Sequence, residues 1–207
     1  MNNIEQIYNI LKDLIKEPKS ELKYNNNFEL IIAVLLSAQC TDKRVNLVTP
    51  KLFEKYGTCY DLANANIDEV EDIIKPCGFY HNKAKNIIEL SKKLVDNFNG
   101  EVPSTLEELI TLNGVGRKTA NVVLAVAFNK PAIAVDTHVH RVSNRLGLSK
   151  SQDVYKIEQD LMKLFNKEDW AEAHHLLLLF GRYYCKSQNP MCGECKLKEY
   201  CAYLRRK

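Results

Sequence analysis

The chain has 207 residues, of which 45% are hydrophobic and 27% charged, and its formal net charge is +3. This length suffices to bury one large core or two small ones, and the ordinary apolar fraction excludes an intrinsically disordered chain. The sequence contains no apolar run long enough to span a bilayer. Its first residues lack the basic region and apolar block of a signal peptide. We therefore expect a soluble, cytoplasmic protein.

Hydrophobic periodicity predicts helices along almost the whole chain. An amphipathic stripe covers residues 4–15, residues 28–38 are apolar nearly all round, and a further stripe covers residues 84–98. Ser104 and Glu107 have the spacing of a capping box and predict the start of another helix. Further helices are predicted over residues 117–129, 137–147, 151–165 and 169–184. No segment alternates with period two, so the predicted fold class is all-α with nine or ten helices.

The seven cysteines are unevenly distributed. Four of them crowd into the C-terminal part of the chain: Cys185, Cys192, Cys195 and Cys201. In a cytoplasmic protein such crowding favours a metal centre over disulfides, and either a tetrahedral zinc ion or a four-iron cluster fits four thiolates. The single Cys-x2-Cys knuckle and the longer gaps favour the iron–sulfur cluster. The other three are expected to be small buried side chains: Cys40, Cys59 and Cys77.

Positive charge concentrates in the same C-terminal part. Residues 181–207 contain seven lysines and arginines against two glutamates. Lys196 and Lys198 lie among the cysteines, where they could contact phosphates. A basic terminal segment on a nearly neutral body fits a polyanion-binding surface, but it fits a solubilising tail equally well.

A glycine-containing turn separates two predicted helices. In the segment LNGVGRKTAN (112–121), Gly114 and Gly116 permit a tight turn, and the amides that open the next helix suit phosphate oxygens. A dinucleotide-binding fingerprint would need a preceding strand and a third glycine. The turn is either a simple helix connector or a helix–hairpin–helix motif for a nucleic-acid backbone. The adjoining Arg117 and Lys118 favour the motif.

Lys118 and Asp136 are candidate catalytic residues. Lys118 falls in a first helical turn, where the helix dipole disfavours a positive charge, so its amine is a potential Schiff-base nucleophile. The alternative is a solvated or phosphate-contacting lysine. Asp136 follows an apolar run at a helix start, so it is either an N-cap or an acid–base group. His138 and His140 are too close in sequence to share a helix face, which argues against a two-histidine metal site.

Together these segments resemble the endonuclease III family of helix–hairpin–helix base-excision glycosylases. The resemblance rests on LNGVGRKTAN (112–121), on VDTH (135–138) and on the four-cysteine loop, which occur in the family's order. LLSAQCTD (35–42) and GFYHNKA (78–84) are similar to two further family segments. The match covers nearly the whole chain, from about residue 5 to the last cysteine.

The family implies a cofactor, a partner and a domain arrangement. The four cysteines of the loop would hold a [4Fe-4S] cluster. Two all-α lobes are expected: residues 20–130, with the hairpin motif at about 104–128, and residues 1–19 plus 131–207, with the cluster loop at 185–201. Double-stranded DNA carrying damaged bases or abasic sites would bind in a cleft between the lobes. A monomer associated with the nucleoid is expected.

The family also implies roles for individual residues. Lys118 matches the catalytic lysine and Asp136 the catalytic aspartate. Gln39 and Phe79 fall where the family places residues that enter the duplex in place of the flipped base. Further contacts to DNA are expected from Gly114, Gly116, Arg117, Lys196 and Lys198.

The expected activity is that of a bifunctional glycosylase, which removes oxidised pyrimidines and cuts the abasic site by β-elimination through a lysine Schiff base. The alternatives are a monofunctional mismatch glycosylase of the same superfamily, which would typically lack Lys118, and a non-catalytic iron–sulfur protein that binds DNA.

Three positions depart from the family pattern. Asn113 replaces a usual proline, Phe79 replaces a commoner aliphatic residue, and His140 occupies an often apolar position.

Overall fold

A computed structural model describes residues 3–206, and all regular secondary structure in this range is helical. The all-α prediction is confirmed. The α-helices are, in chain order, α1 (Asn3–Leu14), α2 (Asn27–Leu36), α3 (Asp42–Lys55), α4 (Cys59–Ala63), α5 (Ile67–Ile74), α6 (Tyr80–Phe98), α7 (Leu106–Leu109), α8 (Arg117–Phe128), α9 (Thr137–Leu146), α10 (Val154–Leu164) and α11 (Trp170–Tyr183). The described range has more α-helices than predicted, and one reason is that α4 is only five residues long and leaves no periodic pattern.

Contacts divide the chain into two compact units. The middle unit is Glu21–Phe128, and the terminal unit combines Met1–Ser20 with Asn129–Lys207. Short 3-10 turns supplement the helices at Lys75–Cys77, Lys167–Asp169, Lys198–Tyr200 and Leu204–Arg206. Across the described range, each helix is too short or too polar to cross a membrane.

The middle unit is built around α2. Nine of its ten residues are buried, as its apolar sequence predicts, and the helix ends at Leu36 rather than at residue 38. The Asn26 side chain caps it by accepting a hydrogen bond from the Glu29 amide at 2.8 Å. Helix α2 packs against α3, α6 and α8. These helices are connected by the loops whose residues are expected to contact DNA. The core of this unit therefore determines the positions of those loops.

The predicted capping box of α7 is displaced by one residue. Thr105, not Ser104, is the N-cap, and its hydroxyl oxygen accepts a hydrogen bond from the Glu108 amide at 3.3 Å. The sequence STLEE offers two overlapping matches to the same spacing. Local pattern alone does not choose between them, and the extended backbone of Thr105 decides the register.

The terminal unit encloses a second core. Helices α1, α9, α10 and α11 contribute side chains such as Leu11, Val139, Ile157 and Phe180. Helices α9 and α11 approach closely at Gly181, where an added Cβ would lie 2.9 Å from the Cβ of His138. This contact holds the start of α9 against α11, and Asp136 immediately precedes that start.

Candidate nucleic-acid interface and cysteine loop

The hairpin of the middle unit consists of α7, a connection over residues 110–116 and α8. Gly114 has a φ of +75°, and an added Cβ would meet Asn86 of α6 and Leu35 of α2 at 3.0 Å. Any other L-residue would therefore be both strained and crowded. Packing against α2 and α6 thus fixes the turn, and Asn113 beside it does not prevent the turn from forming.

The start of α8 carries the candidate phosphate-binding groups. The Gly116 carbonyl accepts a hydrogen bond from the Ala120 amide at 2.9 Å, which begins the helix. No atom lies within 4 Å of the place where a Gly116 Cβ would be, so an external group can approach the backbone there. Arg117 and Lys118 are exposed in the same first turn. This arrangement can bind a phosphate and present an amine beside it.

Two further loops of the middle unit expose the residues predicted to enter DNA. We define the Gln39 loop as residues 37–41, which follow α2, and the Phe79 loop as residues 77–79, which precede α6. Both Gln39 and Phe79 are exposed, and their φ angles are +52° and +49°.

Among the non-glycine residues with a positive φ, Gln39 and Phe79 are the ones for which this backbone conformation is costly. Five non-glycine residues in the described range have a positive φ: Gln39, Phe79, Asn99, Asn129 and Asn189. Asparagine adopts this conformation readily, whereas glutamine and phenylalanine do so at a cost of about 1–3 kcal/mol each. The two residues that carry this cost are those that the sequence analysis selected for insertion into DNA.

Asp136 is the N-cap of α9 in the terminal unit. Its Oδ1 accepts hydrogen bonds from the amides of His138 at 2.9 Å and Val139 at 2.8 Å. The apolar residues before it, including Ile133 and Val135, are buried. The carboxylate is therefore held firmly at the end of a buried segment, and the N-cap alternative of the sequence analysis describes its local role.

The four cysteines of the terminal unit converge on one pocket. All four line this pocket together with apolar side chains such as Phe180 and Met191. Burial raises the pKa of the Cys195 thiol, and the other three cysteines raise it further because they lie close by.

Four thiols that share one pocket are a donor set of the kind that binds metal. Within residues 3–206, no three or more Cys, His, Asp or Glu side chains are already placed as ligands of a single ion. A zinc ion would draw its sulfur ligands to about 2.3 Å from one point, whereas a four-iron cluster holds one thiolate at each iron. The chemistry and the convergence of the thiols therefore suit an iron–sulfur cluster.

Two arginines of α9 hold the cysteine loop, and the sequence analysis missed both. The Arg141 side chain donates to the carbonyls of Cys185 at 2.9 Å and Gly181 at 2.7 Å. The Arg145 side chain donates to the carbonyl of Lys186 at 2.7 Å and contacts the Cys185 Sγ at 3.5 Å. The sequence does not identify these partners, because they are 40 or more residues away. It shows only that two arginines after Asp136 are four residues apart, which places them on the same face of a helix.

The remaining predicted residues are placed as follows. Lys196 and Lys198 are exposed within the cysteine loop. The imidazole Nε2 of His140 hydrogen-bonds with the backbone oxygen of Gln152 at 3.2 Å, so this departure from the family pattern connects α9 to the segment before α10. The middle unit contains Lys118 with the hairpin and both loops, whereas the terminal unit contains Asp136 with the cysteines.

Comparison with known protein families identifies the superfamily of this chain. Residues 32–167 match the family model described as HhH-GPD superfamily base excision DNA repair protein. The all-α fold and the helical hairpin described above agree with this class.

Individual relatives narrow the assignment. Endonuclease III of Bacillus subtilis is 50% identical over 202 residues, which cover 97% of this chain and 92% of the relative. Endonuclease III of Escherichia coli is 43% identical over 96% of this chain and 94% of its own length. A solved structure described as a trapped endonuclease III–DNA covalent intermediate has a TM-score of 0.94 and 48% identity, and the match covers 100% of this chain and 99% of the other. The chain therefore belongs to the endonuclease III family.

Proposed function

We propose that this chain removes oxidised pyrimidines from duplex DNA and then cuts the abasic strand by β-elimination, with Lys118 as nucleophile and Asp136 as its acidic partner. At the level of its family, the chain is a base-excision repair DNA glycosylase and abasic-site lyase that acts on DNA. The observation that carries the residue-level proposal is the exposed Lys118 in the first turn of α8, beside the open approach at Gly116. We expect the chain to act as a monomer on DNA of the nucleoid.

The first step is extrusion of the damaged base. A base inside a duplex is out of reach of any side chain, so it must leave the stack, and a damaged base does so at lower cost. Gln39 and Phe79 would fill the space that it leaves. Their exposed positions and left-handed backbones present both side chains outward from the middle unit. An aromatic Phe79 would stack on neighbouring bases in place of an aliphatic wedge.

The chemical steps need a nucleophile and a carboxylate. The deprotonated Nζ of Lys118 would attack the sugar C1′, and the bond from C1′ to the base would break as the new C–N bond forms. The C1′–O4′ bond would then open, O4′ would take up a proton, and C1′ and Nζ would be joined as a Schiff base. The Schiff base makes the C2′ proton acidic, and loss of that proton breaks the 3′ C–O bond. Asp136 would stabilise the positive charge that develops on the sugar and move protons. Its two amide hydrogen bonds fix the orientation of the carboxylate.

We further propose that the four cysteines hold a [4Fe-4S] cluster. When bound, the cluster would supply four metal–thiolate bonds that cross-link the loop and set its conformation. Lys196 and Lys198 would then meet DNA phosphates with a defined geometry. The pocket that all four cysteines share supports this proposal.

The test uses a duplex with a thymine glycol and a second duplex with a preformed abasic site. We expect the wild-type chain to cut both, and Lys118→Gln to cut neither while it still binds them. Asp136→Asn should slow base removal by about 100-fold or more. Lys51→Gln, which changes an exposed lysine of α3, is the matched control and should keep full activity.

A Lys118→Gln variant that still cuts abasic DNA would contradict the assignment of Lys118 as the nucleophile. A wild-type chain that binds both duplexes but never cuts them would favour a non-catalytic protein.

A further inference from the structure

Two cysteines of the middle unit lie near each other, one in the Gln39 loop and the other in the Phe79 loop. Cys40 directly follows Gln39, and Cys77 is the first residue of the Phe79 loop. The 3-10 turn that ends at Cys77 packs against α3, which begins two residues after Cys40. Cys40 also acts electrostatically on the Cys77 thiol, so the two side chains are neighbours.

The two thiols differ in exposure. Cys77 is only 1% exposed, whereas Cys40 is intermediate. The expectation that Cys40, Cys59 and Cys77 are all buried packing residues is therefore wrong for Cys40. The reason is its place in a turn after the buried helix α2, so that the apolar context of its sequence ends just before it. Solvent can reach one member of the pair, while the other is protected behind it.

Two basic side chains lie near the pair, although burial lowers the pKa of one of them, Lys83. Lys83 of α6 is only 5% exposed, its Nζ donates to the Cys77 carbonyl at 2.9 Å, and it acts electrostatically on both cysteines. Arg44 of α3 also acts on Cys77. Burial is the main cause that raises the pKa of Cys77 to about 12, so this thiol stays protonated at neutral pH. Neighbouring cations favour a thiolate as it forms during exchange.

We propose that Cys40 and Cys77 form a reversible disulfide with small-molecule disulfides as the oxidant, and that this link ties the Gln39 loop to the Phe79 loop and weakens DNA binding. Two neighbouring thiols within one compact unit, with one of them partly accessible to solvent, are the arrangement that such a pair needs. Cytosolic disulfides are usually transient and regulatory.

The reaction proceeds by two thiol–disulfide exchanges. The Cys40 sulfur attacks a small-molecule disulfide RSSR, which forms the mixed disulfide Cys40–SSR and releases one RSH. The Cys77 sulfur then attacks the Cys40 sulfur, which forms the Cys40–Cys77 bond and releases a second RSH. The two protein thiols lose two electrons and two protons, and RSSR gains both. Because the Cys77 thiol has a raised pKa, the second exchange should accelerate as pH rises.

The effect on DNA binding rests on the proposed function of Gln39 and Phe79. A disulfide requires a sulfur–sulfur distance of about 2.05 Å, which is shorter than any non-bonded contact of two thiols. Closure therefore draws the two loops together. Both inserting residues have strained backbones, and a shift of either loop changes where its side chain enters the duplex.

The experiment begins without DNA. The full chain with Cys59→Ala is incubated with glutathione disulfide, blocked with N-ethylmaleimide, digested and analysed by mass spectrometry. Without Cys59, each of the two linked peptides contains a single cysteine, Cys40 in one and Cys77 in the other. We expect a linked pair that contains Cys40 and Cys77, that forms faster at higher pH and that disappears with dithiothreitol. Absence of this pair at full equilibration, or formation only after denaturation, would overturn the proposal.

Affinity for a duplex with a stable abasic-site analogue is then measured by fluorescence anisotropy. We expect oxidation to raise the dissociation constant by about tenfold, equal to about 1.4 kcal/mol, and dithiothreitol to restore it. The Cys40→Ser/Cys77→Ser double variant controls for reaction at the cysteine loop and should bind equally in both conditions. Equal affinity of the linked and reduced chains would refute the effect on binding. Failure of the proposed function would show separately, as a reduced chain that does not cut abasic DNA.

Discussion

The hairpin of the middle unit and the cysteine loop of the terminal unit are both proposed to contact DNA, but different interactions fix their conformations. The hairpin turn is fixed by close packing, since the position of a Gly114 Cβ is within 3.0 Å of side chains from α2 and α6. The cysteine loop contains no α-helix between the end of α11 at Tyr183 and the last cysteine. Its backbone is held by arginine side chains from α9 and by the convergence of four thiols.

The difference shows what each region depends on. Only Leu197 and Cys201 of this loop are buried. Bonds to the proposed metal centre would therefore help to offset the conformational entropy of the loop. A turn inside a helical core needs only the right residue at the crowded position. Changes to the cysteines should therefore disorder one DNA-binding element and leave the other intact, and the predictions below test this separation.

The largest effect is expected from loss of one thiolate. Cys192→Ser should reduce bound iron, expose the loop to proteolysis and lower DNA affinity, because an incomplete ligand set no longer cross-links the loop. The terminal unit should lose about 3 kcal/mol or more. Limited proteolysis with peptide identification is the measurement, and Cys59→Ala is the control. Cleavage that begins in the middle unit, or an unchanged loop, would refute the separation.

Next in size is a pair of glycine substitutions in the hairpin. Gly114→Ala should destabilise the middle unit by about 2 kcal/mol, since alanine there has an unfavourable φ and two contacts at 3.0 Å. Gly116→Ala should leave stability nearly unchanged because its Cβ would enter open space, yet it should weaken DNA binding by obstructing the phosphate.

Denaturant unfolding and anisotropy together separate the two glycine effects. Equal loss of stability in both variants would contradict the open space at Gly116. Unchanged DNA affinity of Gly116→Ala would show that this space has no functional role.

A smaller effect is expected at Arg145. Arg145→Met keeps the length of the side chain but removes its hydrogen bonds to Lys186 and Ser187, so the loop should lose about 1–2 kcal/mol of stabilisation. Hydrogen exchange over residues 185–201 should rise, while exchange in the middle unit stays the same. Uniform change across both units would indicate that Arg145 acts on global stability instead.

The smallest effect concerns pH. Burial lowers the pKa of His175 in α11, opposed in part by its 2.9 Å hydrogen bond with the Ala171 carbonyl. Below its unfolded pKa of about 6.5, the unfolded chain binds a proton that the folded chain does not, so the free energy of unfolding falls as pH falls.

His175→Gln removes this proton linkage. The decline in unfolding free energy between pH 7 and pH 5 should be smaller by up to about 1 kcal/mol in the variant. Identical pH profiles would show that His175 takes up its proton equally in both states.

Periodicity and spacing predicted the helical fold because both depend on residues close in sequence. The capping register of α7 was wrong by one residue, since Ser104 and Thr105 satisfy the same local pattern. The left-handed backbones of Gln39 and Phe79 could not be predicted, because neither residue type favours them. Arg141 was missed because its partners are distant in sequence.

The central claim is that the Nζ of Lys118 forms the Schiff base. The most direct measurement is to incubate the chain with abasic duplex and borohydride, digest the trapped adduct and locate the nucleotide remnant by mass spectrometry. We predict that the remnant is on Lys118 and that Lys118→Gln gives no adduct. A remnant on another amine, or an undiminished adduct in that variant, would contradict the account.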